Sequence, residues 1–166
     1  STAKWARNKR SSYMVGALAR VNNNYSQLND SAKSVAKEFG LKPINSNPFM
    51  NNVAQLVETV HCVEDSIATI DKILKNGIKE ENIDIKPKAG RGVGAVEVPR
   101  GILFHEYTYD DKGNIVSANL VIPTNQNHAN IEDDMKAWVP KMIKDDTPQK
   151  AIAQNLEMLV RAYDPC

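Results

Sequence analysis

The chain ends on a cysteine that follows an aspartate and a proline, and a thiol in this position could do chemistry. The closing residues are Val160-Arg161-Ala162-Tyr163-Asp164-Pro165-Cys166. A thiolate is a metal ligand and a nucleophile, and a nearby guanidinium would lower the pKa of the cysteine. One cysteine cannot hold a transition metal by itself, so either another chain contributes ligands or the site binds no metal.

The stretch Glu97-Val98-Pro99-Arg100-Gly101 is the best candidate to face that thiol. Arg100 stays cationic even when buried, so it could hold an anionic ligand or polarise a substrate without titrating. Asp164 could pair with Arg100 and fix its orientation, while Thr124 could add a neutral hydroxyl donor. The alternative is a structural pair between Arg100 and Asp164 beside an exposed tail.

A predicted β-hairpin would bring Arg100 and Thr124 together. Its strands are residues 102–109 and 115–122, joined by a turn at 110–114. Pro123 ends the return strand. Because the two ends of a hairpin lie side by side, we expect Arg100 and Thr124 to be neighbours. The glycines at 90–94 lack the spacing of a phosphate-binding loop, and we expect them to let the backbone pass close to a bulky group.

The clearest secondary-structure pattern predicts one long central helix. Asn47 can cap it, Pro48 suits its first position, and Gly77 follows its end. Its apolar seam alternates spacings of four and three, at Phe49, Val53, Leu56, Val60, Val63, Ile67, Ile70 and Leu74. Such a narrow seam favours lengthwise packing inside a helical bundle, with a self-associating coiled coil as the alternative. We interpret His61 and Cys62 as a satisfied polar group and a small apolar side chain.

Three further helices complete a predicted fold that is mainly α, a helical bundle with one long central helix and a β-hairpin. They are expected from a cap at Asp30 or Ser31 through Phe39, at residues 130–138, and from the cap Thr147 onwards. Pro140 should bend or end the second of them. Residues 1–29 predict a loop with a short strand. The buried stripe of the last helix should be Ile152, Leu156, Leu159, Val160 and Tyr163.

Composition limits the possible functions. A chain of 166 residues that is 42% hydrophobic and 25% charged is long enough for a single core. A net charge of +1 gives no reason to expect nucleic acid or an anionic membrane as a partner. No apolar run approaches the roughly 20 residues that cross a bilayer. Two widely separated cysteines do not suggest a disulfide framework and fit a reducing cytoplasm.

Three motifs in the expected order resemble those of the large subunits of nickel–iron hydrogenases. They are Gly92-x-Gly94-x-x-Glu97-x-Pro99-Arg100-Gly101 with Leu103 and His105, then Val121-Ile122-Pro123-Thr124-Asn125, then Arg161-Ala162-Tyr163-Asp164-Pro165-Cys166. The segment from Tyr13 to Asn22 is similar to a fourth motif. Within the family, the chain is most similar to the cytoplasmic group that includes methyl-viologen-reducing enzymes of methanogens and the bidirectional enzymes.

The resemblance implies a role for each matched residue. Cys166 is similar to the first cysteine of the C-terminal Cys-x-x-Cys pair, a terminal nickel ligand and a candidate proton acceptor. Arg100 would lie over the nickel–iron centre and assist the splitting of H2, and Asp164 would orient it. Pro99, Arg100 and Thr124 would surround the cyanide ligands of an iron that also carries CO.

The resemblance also implies further groups and partners. The backbone carbonyl of Leu120 would ligate a magnesium ion. An iron–sulfur small subunit would receive the electrons, within a larger electron-transfer complex. Both Cys-x-x-Cys pairs of the family are incomplete here, since one would lie upstream of Ser1 and half of the other beyond Cys166. We therefore expect residues 1–166 to be a single domain, the C-terminal part of a cytoplasmic large subunit, inactive without the remainder.

Two other functions remain open from the sequence. One is a scaffold or binding protein descended from such a subunit, in which Cys166 has no catalytic use. The other is a helical interaction module that binds its partner through the apolar seam of the long helix.

Overall fold

A computed structural model describes residues 12–81 and 83–165 and confirms the predicted class, mainly α with a minor β component. The elements are α1 (Ala17–Asn24), α2 (Asp30–Glu38), α3 (Asn51–Asn76), β1 (Gly90–Val98), β2 (Gly101–Tyr109), β3 (Ile115–Val121), α4 (Pro123–Lys144) and α5 (Gln149–Ala162). Short 3-10 turns at Tyr25–Gln27 and Pro48–Met50 follow α1 and precede α3. No helix in this part of the chain is long and apolar enough to cross a membrane.

The N-terminal segment, predicted as a loop with a short strand, contains a helix instead. Residues 1–11 of that segment lie outside the described part of the chain. α1 buries Ala17, Leu18 and Val21, a spacing that places all three on one helical face. Its asparagines have poor helix propensity, but the buried face outweighs propensity because tertiary packing supplies most helix stability.

α2 follows the prediction except at its cap. The side chain of Asn29, instead of Asp30 or Ser31, accepts a hydrogen bond from the amide of Ala32 at 2.9 Å. Gly40 adopts a φ of 68° just beyond the helix end, the conformation in which glycine commonly terminates a helix.

α3 has the predicted length, but the predicted burial of its seam is wrong. Asn47 caps the preceding 3-10 turn by accepting from the Phe49 amide at 3.1 Å. The buried residues of α3 are Asn51, Ala54 and Val57. Beyond His61 the seam is open, with Val63 55%, Ile67 56%, Ile70 55% and Leu74 77% exposed. Small residues such as Ala54 let α1 and α2 approach closely, so the contact face forms beside the seam of large residues.

The predicted hairpin supplies two strands, β2 and β3, of a three-stranded antiparallel sheet in the order β1-β2-β3. β1 was not predicted because glycines have little strand propensity. It pairs with β2 from Gly90 opposite Tyr109 to Val98 opposite Gly101. The last pairing leaves Pro99 and Arg100 as a two-residue turn, which fixes their position relative to the sheet.

The two C-terminal helices differ from the prediction at their ends. α4 runs from Pro123 to Lys144, much longer than residues 130–138, and Pro140 lies inside it without ending it. Pro123 suits the first helical turn because its missing N–H would have no partner there. α5 begins at Gln149 after Pro148, so the predicted Thr147 cap is wrong. The buried stripe of α5 is confirmed at Leu159 and Tyr163, which are 2% and 3% exposed, and Ile152, Leu156 and Val160 are half-buried.

Two clusters of buried side chains form the core. The first joins α1, α2 and α3 around Leu18, Val21 and Val57. The second joins α4 and α5 around Ile131, Leu159 and Tyr163. Packing between these helices sets the positions of the β1–β2 turn and the end of α5.

Candidate active site

Arg100 and Asp164 meet in the structure, as the sequence predicts. Nε of Arg100 donates to the backbone carbonyl oxygen of Asp164 at 2.7 Å, and Nη2 donates to Oδ1 at 3.2 Å. Their side chains are 37% and 36% exposed. Two bonds from one planar guanidinium fix its orientation as well as its position. The prediction that the residues entering the hairpin meet the end of the last helix is therefore confirmed.

Asp164 is held from a second side. It has a φ of 52°, the left-handed region that aspartate tolerates better than most residues. Gln55 of α3 donates from Nε2 to the Oδ2 oxygen of Asp164 at 3.1 Å. The carboxylate thus connects α3 to Arg100 and keeps its own rotamer defined.

Two backbones cross in direct contact at Arg100. A Cβ on Gly101, whose φ is 145°, would lie 2.6 Å from Cγ2 of Val15. A Cβ on Gly16, whose φ is 115°, would lie 3.2 Å from the carbonyl oxygen of Arg100. Both positions need glycine for conformation and for space. The segment Val15-Gly16, part of the fourth motif, therefore packs directly on the turn that carries Arg100.

A buried asparagine that the sequence did not single out connects three helices next to this crossing. Oδ1 of Asn51, on α3, accepts from the amide of Leu18 at 3.0 Å, and Nδ2 donates to the carbonyl of Ala162 at 2.9 Å. Asn51 is 4% exposed. It therefore satisfies one backbone group of α1 and one at the end of α5 where water cannot.

Two buried amides of α4 do the same for the other segments. Asn127 accepts from the amide of Val15 at 2.8 Å and donates to the carbonyl of the same residue at 3.2 Å. Gln126 donates to the carbonyl of Ile102 at 2.8 Å and accepts from the Tyr13 hydroxyl at 3.3 Å. Sequence reasoning missed all three amides because a chain rich in asparagine offers many equivalent caps and turns, and no spacing marks the buried ones.

The end of α5 is also fixed through Tyr163. Its hydroxyl donates to Oδ2 of Asp134 and accepts from Nδ2 of Asn130, both on α4. Burial, reinforced by the hydrogen bond to Asp134, raises the pKa of Tyr163. The phenol therefore stays protonated and keeps donating to Asp134, which fixes the residue immediately before Asp164.

Thr124 lies close to the Arg100 turn in the fold. It occupies the first turn of α4 and is 7% exposed. A Cβ on Gly101 would lie 3.2 Å from Cβ of Pro123, so the residues that adjoin Arg100 and Thr124 are in contact. Pro99 is exposed in the same turn. The segments of the first two motifs are thus neighbours, and the roles of Pro99 and Thr124 stay predictions.

The remaining predicted site residues are less well placed. Leu120 lies on the edge strand β3 opposite His105 and is 42% exposed, and its role towards magnesium stays a prediction. Cys166 lies outside the described residues. Cys62 is an exposed free thiol, not the small apolar side chain that was expected. His61 is satisfied as predicted, since its Nδ1 accepts from the amide of Asn29 at 3.2 Å.

The described residues around Arg100, Asp164 and Thr124 form one wall of the candidate site and include no set of metal ligands. Across 12–81 and 83–165, no group of three or more His, Cys, Asp or Glu could hold a metal ion. The wall offers a cation, Arg100, and neutral donors, which suits anionic groups bound to a metal. A metal ion bound here would therefore need ligands from residues other than these.

Comparisons with known proteins agree on one family. The sequence model of the nickel-dependent hydrogenases matches residues 1–166. The alpha chain of sulfhydrogenase 1 of Pyrococcus furiosus is 36% identical over 168 residues, which cover 100% of this chain and 38% of that protein. The matching subunit of the F420-non-reducing hydrogenase vhc of Methanococcus voltae is 35% identical over 162 residues, which cover 93% of this chain and 33% of that protein.

A solved structure extends the agreement to the fold. The crystal structure of an NAD+-reducing NiFe hydrogenase in the H2-reduced state matches with a TM-score of 0.76 and 28% identity, over 93% of this chain and 35% of that chain. The chain spans less than two fifths of the length of these relatives. With matching motifs, matching fold and a family model that covers it from end to end, the chain belongs to the nickel-dependent hydrogenase family.

Proposed function

We propose that residues 1–166 are a single domain, the C-terminal part of the catalytic large subunit of a nickel–iron hydrogenase that reversibly splits H2 into protons and electrons. The observation that carries this proposal is the pair between Arg100 and Asp164. It joins residues 64 positions apart, one from each of two family motifs. A pairing within either motif alone would say nothing about a shared site.

The wall that these residues form suits a metal centre with anionic ligands. When bound, a nickel–iron centre would supply the binding and cleavage of H2. Arg100 would hold a permanent cation beside it, with Asp164 fixing the plane of the guanidinium. Pro99, Arg100 and the hydroxyl of Thr124 would surround the cyanide ligands of the iron, which would also carry CO. Cys166 would be a terminal nickel ligand and would accept a proton at its sulfur.

Other parts of the complete enzyme would supply what this chain lacks. The remainder of the large subunit would contribute the other thiolates, and a magnesium ion would bind at the carbonyl of Leu120. An iron–sulfur small subunit would take up the electrons, within a larger electron-transfer complex. We place the enzyme in the cytoplasm because its relatives include an NAD-reducing hydrogenase, and NAD reduction requires a cytoplasmic cofactor pool.

Exposed apolar surface supports the need for a covering partner. The α3 seam beyond His61 and the outer strands of the sheet expose large apolar side chains, for example Ile67 at 56%, Val93 at 61% and Val116 at 66%. Proteins seldom leave contiguous apolar areas of this kind to water unless another surface covers them. The same seam would serve an interaction module, which is the second candidate function.

Metal analysis of the purified complex tests the proposal. We expect nickel in an amount equal to that of this chain, and iron in excess of nickel, because the clusters of the iron–sulfur small subunit add to the iron of the nickel–iron centre. Arg100→Lys should lower turnover of H2 roughly 100-fold with nickel content unchanged, because a lysine ammonium cannot reproduce two aligned donors. Arg91→Lys, on the exposed face of β1, is the matched control and should keep normal turnover.

Two outcomes would redirect the proposal. Normal turnover in Arg100→Lys would remove that residue from the mechanism. A folded complex without nickel or iron would favour the scaffold or interaction module instead.

A further inference from the structure

Arg20, on α1, donates a hydrogen bond from every nitrogen of its guanidinium, and two of these nitrogens hold the base of the Arg100 turn. Nε and Nη2 each donate to a carboxylate oxygen of Glu58 on α3 at 2.6 Å. Nη1 donates to the carbonyl of Val98 at 2.9 Å, and Nη2 also donates to the carbonyl of Pro99 at 2.8 Å. The side chains of Arg20 and Glu58 are only 18% and 20% exposed.

The two carbonyls that Arg20 binds come immediately before Arg100. The carbonyl of Pro99 lies in the same planar peptide unit as the nitrogen and Cα of Arg100. Fixing this oxygen therefore fixes the plane from which the Arg100 side chain leaves the turn. Val98 pairs with Gly101 across the turn, so the second bond anchors the turn to the sheet.

Helix α3 holds both members of the Arg100–Asp164 pair. Gln55 binds the Asp164 carboxylate directly. Glu58 lies three residues further on, so the two side chains are neighbours on one face of the helix. Glu58 fixes Arg20, which in turn holds the backbone next to Arg100. A shift of α3 would move both members together and preserve their separation.

We propose, resting on the function proposed above, that Arg20 is a positioning residue for Arg100. It sets the backbone from which the Arg100 guanidinium projects and does not touch the reacting atoms. The alternative is that the Arg20–Glu58 pair only stabilises the packing of α1 on α3. If the pair only stabilises packing, changing Arg20 should loosen the structure throughout the region. If Arg20 positions Arg100, the change should loosen only the turn, and it should affect turnover only through Arg100.

The test uses the complete hydrogenase complex with Arg20→Lys, and Glu58→Gln as a milder second variant. Lysine keeps the charge, but its ammonium cannot reach acceptors on two elements at once. Amide hydrogen exchange should rise several-fold at residues 100–103 and stay unchanged at residues 115–121 of β3. Turnover of H2 should fall roughly 10- to 100-fold with unchanged nickel content, as for a misplaced reacting group. Arg91→Lys should change neither quantity.

A double variant separates positioning from general stability. If Arg20 acts through Arg100, then Arg20→Lys combined with Arg100→Lys should be no slower than Arg100→Lys alone. Multiplied losses, an equal rise of exchange in β3, or normal exchange at the turn in Arg20→Lys would each overturn the proposal. The exchange measurement needs no turnover, so it decides the positioning role even if the complex proves inactive and the proposed function fails.

Discussion

The region around Arg100 and the part of α3 beyond His61 are built in opposite ways. Around Arg100, polar side chains are buried and paired, and Asn51, Gln126 and Asn127 are 2–4% exposed. Beyond His61, large apolar side chains face water, and Leu74 is 77% exposed. An independent domain normally buries the apolar group and exposes the polar one. The first region therefore has its polar groups paired within this chain, whereas the second leaves its apolar side chains uncovered by the described residues.

Two ion pairs show the same contrast at one distance. The closest contacts of Arg20 with Glu58 and of Arg91 with Glu106 are both 2.6 Å. The side chains of the first pair are 18% and 20% exposed, and those of the second 62% and 33%. Water and salt screen the exposed pair far more effectively than the sheltered one. Contact distance alone therefore does not tell which pair fixes structure.

The largest expected effect is loss of the buried amide of Asn51. Asn51→Leu would leave the amide of Leu18 and the carbonyl of Ala162 without partners, and each unsatisfied buried group costs about 1–3 kcal/mol. We expect the free energy of unfolding to fall by about 3 kcal/mol, measured by chemical denaturation. Asn52→Leu, at the exposed neighbouring position, is the control. Equal stability of both variants would contradict a structural role for the Asn51 side chain.

A substitution in the exposed seam should weaken association with another surface and leave the free energy of unfolding unchanged. Ile67→Asp puts a charge where we propose that another surface covers the seam, and should weaken association with that surface by about 2 kcal/mol. The fold of this region should not change, because Ile67 is already 56% exposed. Thr69→Asp, on the opposite side of α3, adds the same charge and should bind normally. Co-purification yield and binding isotherms measure the effect, and normal binding by Ile67→Asp would show that the seam is not the interface.

Substitution of Tyr163 should have a smaller effect on the free energy of unfolding, and that effect should depend on pH. Its pKa is raised above the ordinary value of 10.0, mainly by burial and then by Asp134. Above pH 10 the unfolded chain loses this proton while the native state keeps it, so the free energy of unfolding falls as pH rises. Tyr163→Phe should lower stability by about 1 kcal/mol at neutral pH and should lose less stability than the wild type in alkaline solution. If the free energy of unfolding fell equally with pH above 10 in both proteins, this account would be wrong.

The smallest effect is expected at the exposed sheet. Glu106→Gln removes the charge that pairs with Arg91, and Arg91 holds the pKa of Glu106 below its usual value through their hydrogen bond. Because solvent reaches this pair freely, we expect no resolvable change in the unfolding midpoint. Glu58→Gln, measured beside it, should shift that midpoint. A shift of equal size in both would erase the distinction between the two pairs.

The sequence predicted the contact between Arg100 and Asp164 but little of what supports that contact. Arg100 directly precedes the predicted hairpin and Asp164 follows the end of the last helix, and these positions with their opposite charges led to the predicted pairing. Tyr163 was correctly assigned to the buried stripe of α5. Gln55, Asn51 and Arg20 were not singled out, because their partners are mostly backbone atoms of distant segments and leave no periodic mark. The burial of the α3 seam was predicted wrongly, because periodicity identifies an apolar face without identifying what covers it.

By itself, the sequence determined the helical class, the long helix between Asn47 and Gly77, and the family to which the chain belongs. Caps, proline positions and apolar spacing are local, so they can be read along the chain. Only the tertiary structure decided that Gly16 and Gly101 lie where two backbones cross, and that Arg20 holds the turn before Arg100. Those contacts join segments about 80 residues apart, and their energies depend on burial, which exists only once the helices have packed.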